Sequence, residues 1–140
     1  MNSYRKPLPK PDPVTAPFWD SVKAHAMKIQ RCNDTGRFFF YPRGLSPFTL
    51  SDNISWEPVS GRGVVHAFTI VYQNRDPAFA DDVPYVVAIV ELEEGPRMMS
   101  QLIDVEPDPR HVTIGMPVEV VYDDVTEDVT LPKFRPIRAE

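Results

Sequence analysis

From residue 54 onward, apolar and polar positions alternate in short runs. Residues 54–59, 63–72, 85–92, 97–104, 118–122 and 129–134 each read as a strand, because a period of two sends successive side chains to opposite faces. Val118, Val120 and Tyr122, for example, alternate with Glu119, Val121 and Asp123. Glu93-Glu94-Gly95-Pro96 marks a turn between two of these runs, and Ser60-Gly61-Arg62 separates two others. Short strands at this spacing predict a small closed barrel.

Ahead of residue 54 the period lengthens. Phe18, Val22, Ala26 and Ile29 recur at helical spacing. Pro17 suits a first helical turn, and Thr15 stands where a cap belongs. The pattern predicts a helix running to residue 29, with Trp19 and His25 beside its apolar stripe. Such a helix packs on its own domain or covers a partner's groove. Phe38-Phe39-Phe40-Tyr41 is the densest aromatic run and predicts a strand with at least two rings turned inward. Residues 1–13 carry Pro7, Pro9, Pro11 and Pro13 on alternate positions, which favours an extended, flexible arm.

Composition narrows the picture. The chain has 140 residues and 42% hydrophobic residues, enough for one domain with a core. Its 16 prolines favour short strands and loops over a helical bundle. A net charge of -5 disfavours a nucleic-acid binder, which ordinarily carries a basic face. One cysteine permits no internal disulfide. No apolar run reaches the length of a membrane span, and the N-terminus lacks a signal-peptide core, so a cytoplasmic location is expected.

Catalytic chemistry is sparse. His25, His66 and His111 belong to no recognisable triad or metal motif, and His66, inside a strand, reads as a hydrogen-bonded structural residue. The acidic groups cluster at strand ends and turns, where a solvated rim is the ordinary arrangement. The loop at residues 74–84 carries Phe79 amid charge. It either offers a ligand position at the barrel mouth or folds back as a plug. Arg43, Arg62, Arg97, Lys133 and Arg135 are available for phosphate groups.

Two stretches have the frame of paired metal knuckles without the metal-binding groups. Positions 32 and 35, then 46 and 49, hold Cys32, Thr35, Ser46 and Thr49. Four thiolates close a tetrahedron around structural zinc, and neutral hydroxyls are poor substitutes. Gly36 follows the first pair, Tyr41-Pro42-Arg43 precedes the second, and Trp56-Glu57-Pro58-Val59-Ser60-Gly61-Arg62-Gly63 comes after it. With Pro84-Tyr85-Val86-Val87-Ala88-Ile89-Val90-Glu91-Leu92 and Gly115-Met116-Pro117-Val118-Glu119-Val120, this order resembles the acyl-CoA-associated family in which a rubredoxin-like zinc ribbon precedes an OB-fold. The resemblance runs from Phe18-Trp19 to Phe134-Arg135-Pro136.

The resemblance implies a mostly β chain: a flexible arm (1–13), a helix plus degenerate zinc ribbon (14–59), and a small OB-fold barrel (60–140). Zinc is expected to be absent, with Cys32 a relic of the lost site and the aromatic run taking over the metal's stabilising role. No other cofactor is expected. The family's members are typically non-catalytic accessory subunits of thiolase-fold enzymes, namely thiolases, acyltransferases or retro-aldolases of steroid side chains. A thiolase-like protein subunit is therefore the expected partner, with acyl-CoA at the shared interface and neither membrane nor nucleic acid involved. Trp19, Arg43, Phe79 and Phe134 are the candidate CoA- or partner-binding residues. Two alternatives remain: a free-standing OB-fold that stacks nucleic-acid bases on its aromatics, and a small enzyme acting on a thioester itself.

Overall fold

A computed structural model of the chain describes residues 4–137; the first three residues of the expected arm and the last three of the expected barrel span lie outside it. Helix α1 spans Ala16–Lys23. Thr15 does not cap it in the expected way, because its side chain makes no bond into the helix. Instead Asp12 and Thr15 clasp each other. Asp12 Oδ1 accepts from Thr15 N at 2.8 Å, and Thr15 Oγ1 accepts from Asp12 N at 3.0 Å. This is the reciprocal arrangement of a capping box.

The helix also stops six residues short of the expected end. His25 adopts φ 58°, its N–H bonds to Val22 O at 2.9 Å, and Ala26 N–H bonds back to Ser21 O at 2.9 Å. That pair of bonds is a Schellman closure, which satisfies carbonyls the helix would otherwise leave unpaired. Ala26 is consequently exposed. Ile29 leaves the helical stripe for strand β1, Lys28–Cys32.

Strand β1 is central in a three-stranded antiparallel sheet. Its neighbours are β2, Phe38–Phe39, and β3, Ile54–Pro58. Phe39 is buried, Phe38 and Phe40 pack partly against the core, and Tyr41 turns outward.

The rest of the chain closes a barrel. Its strands are β4, Arg62–Val71; β5, Tyr85–Leu92; β6, Arg97–Leu102; β7, Pro117–Asp124; and β8, Thr130–Pro136. A one-turn helix α2, Pro77–Ala80, lies between β4 and β5. The order β4-β5-β6-β8-β7 returns to β4, with β6 and β8 parallel and the other pairs antiparallel. Strand β6 ends at Leu102 rather than 104, where Asp104 turns into the left-handed region at φ 56°. The alternation in β5 is clean: Val86, Ala88, Val90 and Leu92 all point into the barrel.

The core does not stop at the barrel wall. Phe18 and Val22 of α1, with Met27 and Ile29, join Val65, Val90, Leu102, Val118 and Phe134 in one continuous apolar cluster. Burying each such large side chain contributes about 1.5–3 kcal/mol. The helix and the small sheet are thus seated on the barrel. Among the described residues no helix is long and apolar enough to cross a membrane.

Candidate functional site

The aromatic segment after β2 separates two depressions. On one side lies an apolar groove of about 440 Å³ between α1, residues 40–42, β6 and β8. Trp19 lines it, as do Tyr41, Met99 and Leu131, with Lys133 at its polar margin. Its wall is a run of ring contacts: Trp19 on Phe18 at 5.1 Å, Phe18 on Phe40 at 5.2 Å, and Phe40 on Tyr41 at 4.4 Å. Tyr41 Oη accepts from Met99 N at 3.2 Å, tying the segment to the barrel. Tyr41 and Met99 remain 53% and 58% exposed, so the groove keeps an open apolar face.

On the other side is a cleft of about 630 Å³ between the small sheet and the β5–β6 turn. Arg37, Arg43 and Arg97 line it, facing Glu91 and Glu94. Arg97 pairs with Glu91 at 3.3 Å, and the Arg37 guanidinium lies 3.9 Å over the Phe48 ring. Arg43 is fixed through its backbone. Gln30, buried in β1, accepts from Arg43 N and donates to Arg43 O, both at 2.7 Å. The Arg43 guanidinium itself makes no hydrogen bond or ion pair among the described residues. A pinned backbone and a free planar fork suit a phosphate or carboxylate ligand.

The knuckle positions converge as the sequence frame requires, but their donors do not fit zinc. Cys32 and Ser46 are fully buried. Cys32 takes side-chain hydrogen bonds from Ser46 and Thr35, and Thr49 Oγ1 lies 3.9 Å from its sulfur. Ser46 Oγ accepts from Phe48 N at 3.1 Å and Thr49 N at 3.3 Å. Those hydrogen bonds, Ser46 first, outweigh burial and pull the Cys32 thiol down to about 7. One sulfur and three hydroxyls remain an inadequate set for a structural zinc ion.

The other sequence candidates scatter. Phe79, on α2, folds back on its own protein, 6.3 Å from the Tyr85 ring and 5.6 Å beneath Lys6 Nζ. Lys6 in turn pairs with Asp82 at 2.6 Å. Phe134 is not a surface anchor: it is 0% exposed, and its ring fills the barrel core. His66 is likewise not the hydrogen-bonded strand residue expected, because it sits exposed at the β4 bulge between Val65 and Ala67. His111 meets Glu106 and Asp108 in an exposed turn. Of the four candidates, the structure places Trp19 on the groove and Arg43 on the cleft. Sequence reasoning missed Gln30, whose polar side chain in a buried strand was hidden by the helical reading. It also missed Arg37 and Met99, which carry no motif.

A five-stranded closed barrel in this order, carrying a helix and a small sheet, defines an OB-fold protein. Residues 56–123 match the family model described as ChsH2, C-terminal OB-fold domain. A DUF35 domain-containing scaffold protein of Methanocaldococcus jannaschii is 33% identical over 135 residues, covering 90% of this chain and 93% of that protein. The chain belongs to this DUF35 family of acyl-CoA-associated OB-fold proteins. The alpha subunit of 3-oxo-4,17-pregnadiene-20-carboxyl-CoA hydratase from Mycobacterium tuberculosis is 43% identical over 110 residues, 79% of this chain. The chain spans only about a third of that relative, 34% of its length. Among solved structures, a chain of the Ltp2-ChsH2(DUF35) aldolase superposes with a TM-score of 0.82 at 32% identity, covering 92% of this chain and 98% of that one.

Proposed function

We propose that this chain is a non-catalytic accessory subunit of a thiolase-fold enzyme acting on acyl-CoA, in the degradation of steroid or related lipid side chains. The observation that carries the reading is the end-to-end likeness to a chain of the Ltp2-ChsH2(DUF35) aldolase, at 32% identity. Two features of the chain support it. The apolar groove with Trp19, Tyr41 and Met99 offers a protein partner the aromatic anchors that dominate interface energetics. The neighbouring cleft offers Arg37 and Arg43 to the phosphates of an acyl-CoA bound at the shared interface. We also assign the chain to the cytoplasm, a reducing setting that a single cysteine with no internal disulfide suits.

The test is co-expression with a thiolase-like protein encoded beside it, followed by size exclusion and an acyl-CoA turnover assay. The expected result is a stable hetero-complex whose activity falls when this chain is omitted. A large subunit that turns over substrate equally well alone would overturn the reading. Nucleic acid co-purifying with the chain would instead favour an OB-fold of the base-stacking kind.

A further inference from the structure

The zinc that a ribbon of this kind would carry does not fit the donors at positions 32, 35, 46 and 49, yet the two halves are still joined. We propose that the Asp34 carboxylate is the cross-link that stands in for the metal. It lies inside the first knuckle, between Cys32 and Thr35. From there it reaches three groups on the other half. Asp34 Oδ2 accepts from Thr49 Oγ1 at 3.1 Å and from Ser51 Oγ at 2.5 Å, and Asp34 Oδ1 accepts from Asn53 Nδ2 at 3.0 Å. The backbone completes the seam, with Asn33 N donating to Asn53 O at 3.0 Å.

The geometry explains why a carboxylate serves here. A metal joins the knuckles at their centre by bonding four inward-facing sulfurs. In this chain the centre is occupied by Cys32 and Ser46, which satisfy each other and nearby N–H groups. The join therefore moves from the buried centre to the exposed Asp34, an anion with two oxygens and room for several donors. Charge-assisted hydrogen bonds are stronger than neutral ones, so a single anion with three donors joins the two halves more firmly than three neutral pairs would. The aromatic packing of Phe39 on Phe48, at 6.2 Å, also joins the two halves. Asp34, Thr49, Ser51 and Asn53 thus form a metal-free clasp that holds the loop carrying Arg43, Leu45 and Leu50 in place.

The test uses the isolated full chain and is independent of any partner or activity. Elemental analysis is run on protein purified with and without added zinc. Limited proteolysis then reads the opening of residues 33–53 in the wild type, Asp34→Asn and Asp34→Ala. The expected result is no stoichiometric zinc, with nicking of this segment faster by on the order of tenfold in Asp34→Ala and by less in Asp34→Asn. If Asp34→Ala fails to fold, Ser51→Ala and Thr49→Val each remove one donor and should raise nicking in smaller steps. One zinc per chain, lost on Cys32→Ala, overturns the proposal. So do nicking rates unchanged across the Asp34, Thr49 and Ser51 variants.

Discussion

His25 Nε2 lies 2.9 Å from Asp124 Oδ1, joining the left-handed residue just past α1 to the last residue of β7. The imidazole also stacks on Tyr122 at 4.9 Å, and Tyr122 Oη accepts from Met27 N at 2.8 Å. The link therefore seats the helix-to-sheet corner on the barrel rim. Asp124 is held below the usual carboxylate range, first by the Thr130 hydroxyl at 2.5 Å and then by His25. A carboxylate depressed in the folded state adds stability that is present above its unfolded value, about 3.9, and that is lost as pH falls through its folded value.

Asp124→Asn should accordingly be less stable than the wild type near neutral pH. The gap should close as pH falls below the ordinary carboxylate range. Urea melts of both proteins across that interval check it. A gap that stays constant down to the most acid point would show that the carboxylate's charge is not what matters.

Cys32 should be slow to label despite its lowered pKa. A thiol near neutrality would ordinarily react readily, but reaction also needs access, and Cys32 is 0% exposed. A disulfide reagent at neutral pH should modify the native protein at least about tenfold more slowly than the urea-unfolded chain, because labelling waits for local opening. Equal rates would mean that the knuckle is open in solution.

Gly63→Ala should weaken the seam where β4 meets β5. An added Cβ would stand 2.3 Å from Glu91 O and 2.9 Å from Val90 Cγ1, and backbone cannot yield as a flexible side chain can. The expected loss is about 1–3 kcal/mol. Gly44→Ala, with nothing within 4 Å of the new methyl, is the neutral comparison. Phe134→Ala should cost more, about 3–5 kcal/mol, since it empties the barrel centre. Denaturant midpoints read all three.

Within a complex, Arg43→Ala should raise the KM for an acyl-CoA substrate by roughly tenfold with kcat little changed, as expected when uniform binding of a phosphate is lost. Arg37→Ala should act the same way, and both effects should shrink at high salt. A change confined to kcat would place the cleft outside substrate binding. Met99→Glu, on the apolar groove, should weaken subunit association without altering the stability of the free chain, as size exclusion and melts would show.

The barrel was legible because its signal is local. Strand β5 occupies the residues its alternation predicts, since each inward side chain is dictated by a period of two along one short segment. The order of barrel strands, and the OB character of the closure, came with the resemblance rather than with the pattern. The helix was half legible. Its apolar face reads correctly through Val22, but Ile29 continues the same spacing while belonging to a strand. The stop lies in the backbone of His25, whose positive φ is uncommon outside glycine, and the side-chain contacts that hold it there are with Tyr122 and Asp124, about a hundred residues away.

The candidate site divides along the same line. The missing cysteines at positions 35, 46 and 49 are visible in the chain itself, because metal chemistry depends on residue type. What joins the knuckles instead is not visible, because an Asp among Asn, Thr and Ser looks like any solvated loop until the two halves fold together. Trp19 and Arg43 stood out by type, and the fold decided which depression each one faces. Phe134 also stood out by type, yet closure of β6 on β8 put it inside. An aromatic side chain meets a partner or fills a core according to which neighbours close over it, and only the tertiary structure supplies those neighbours.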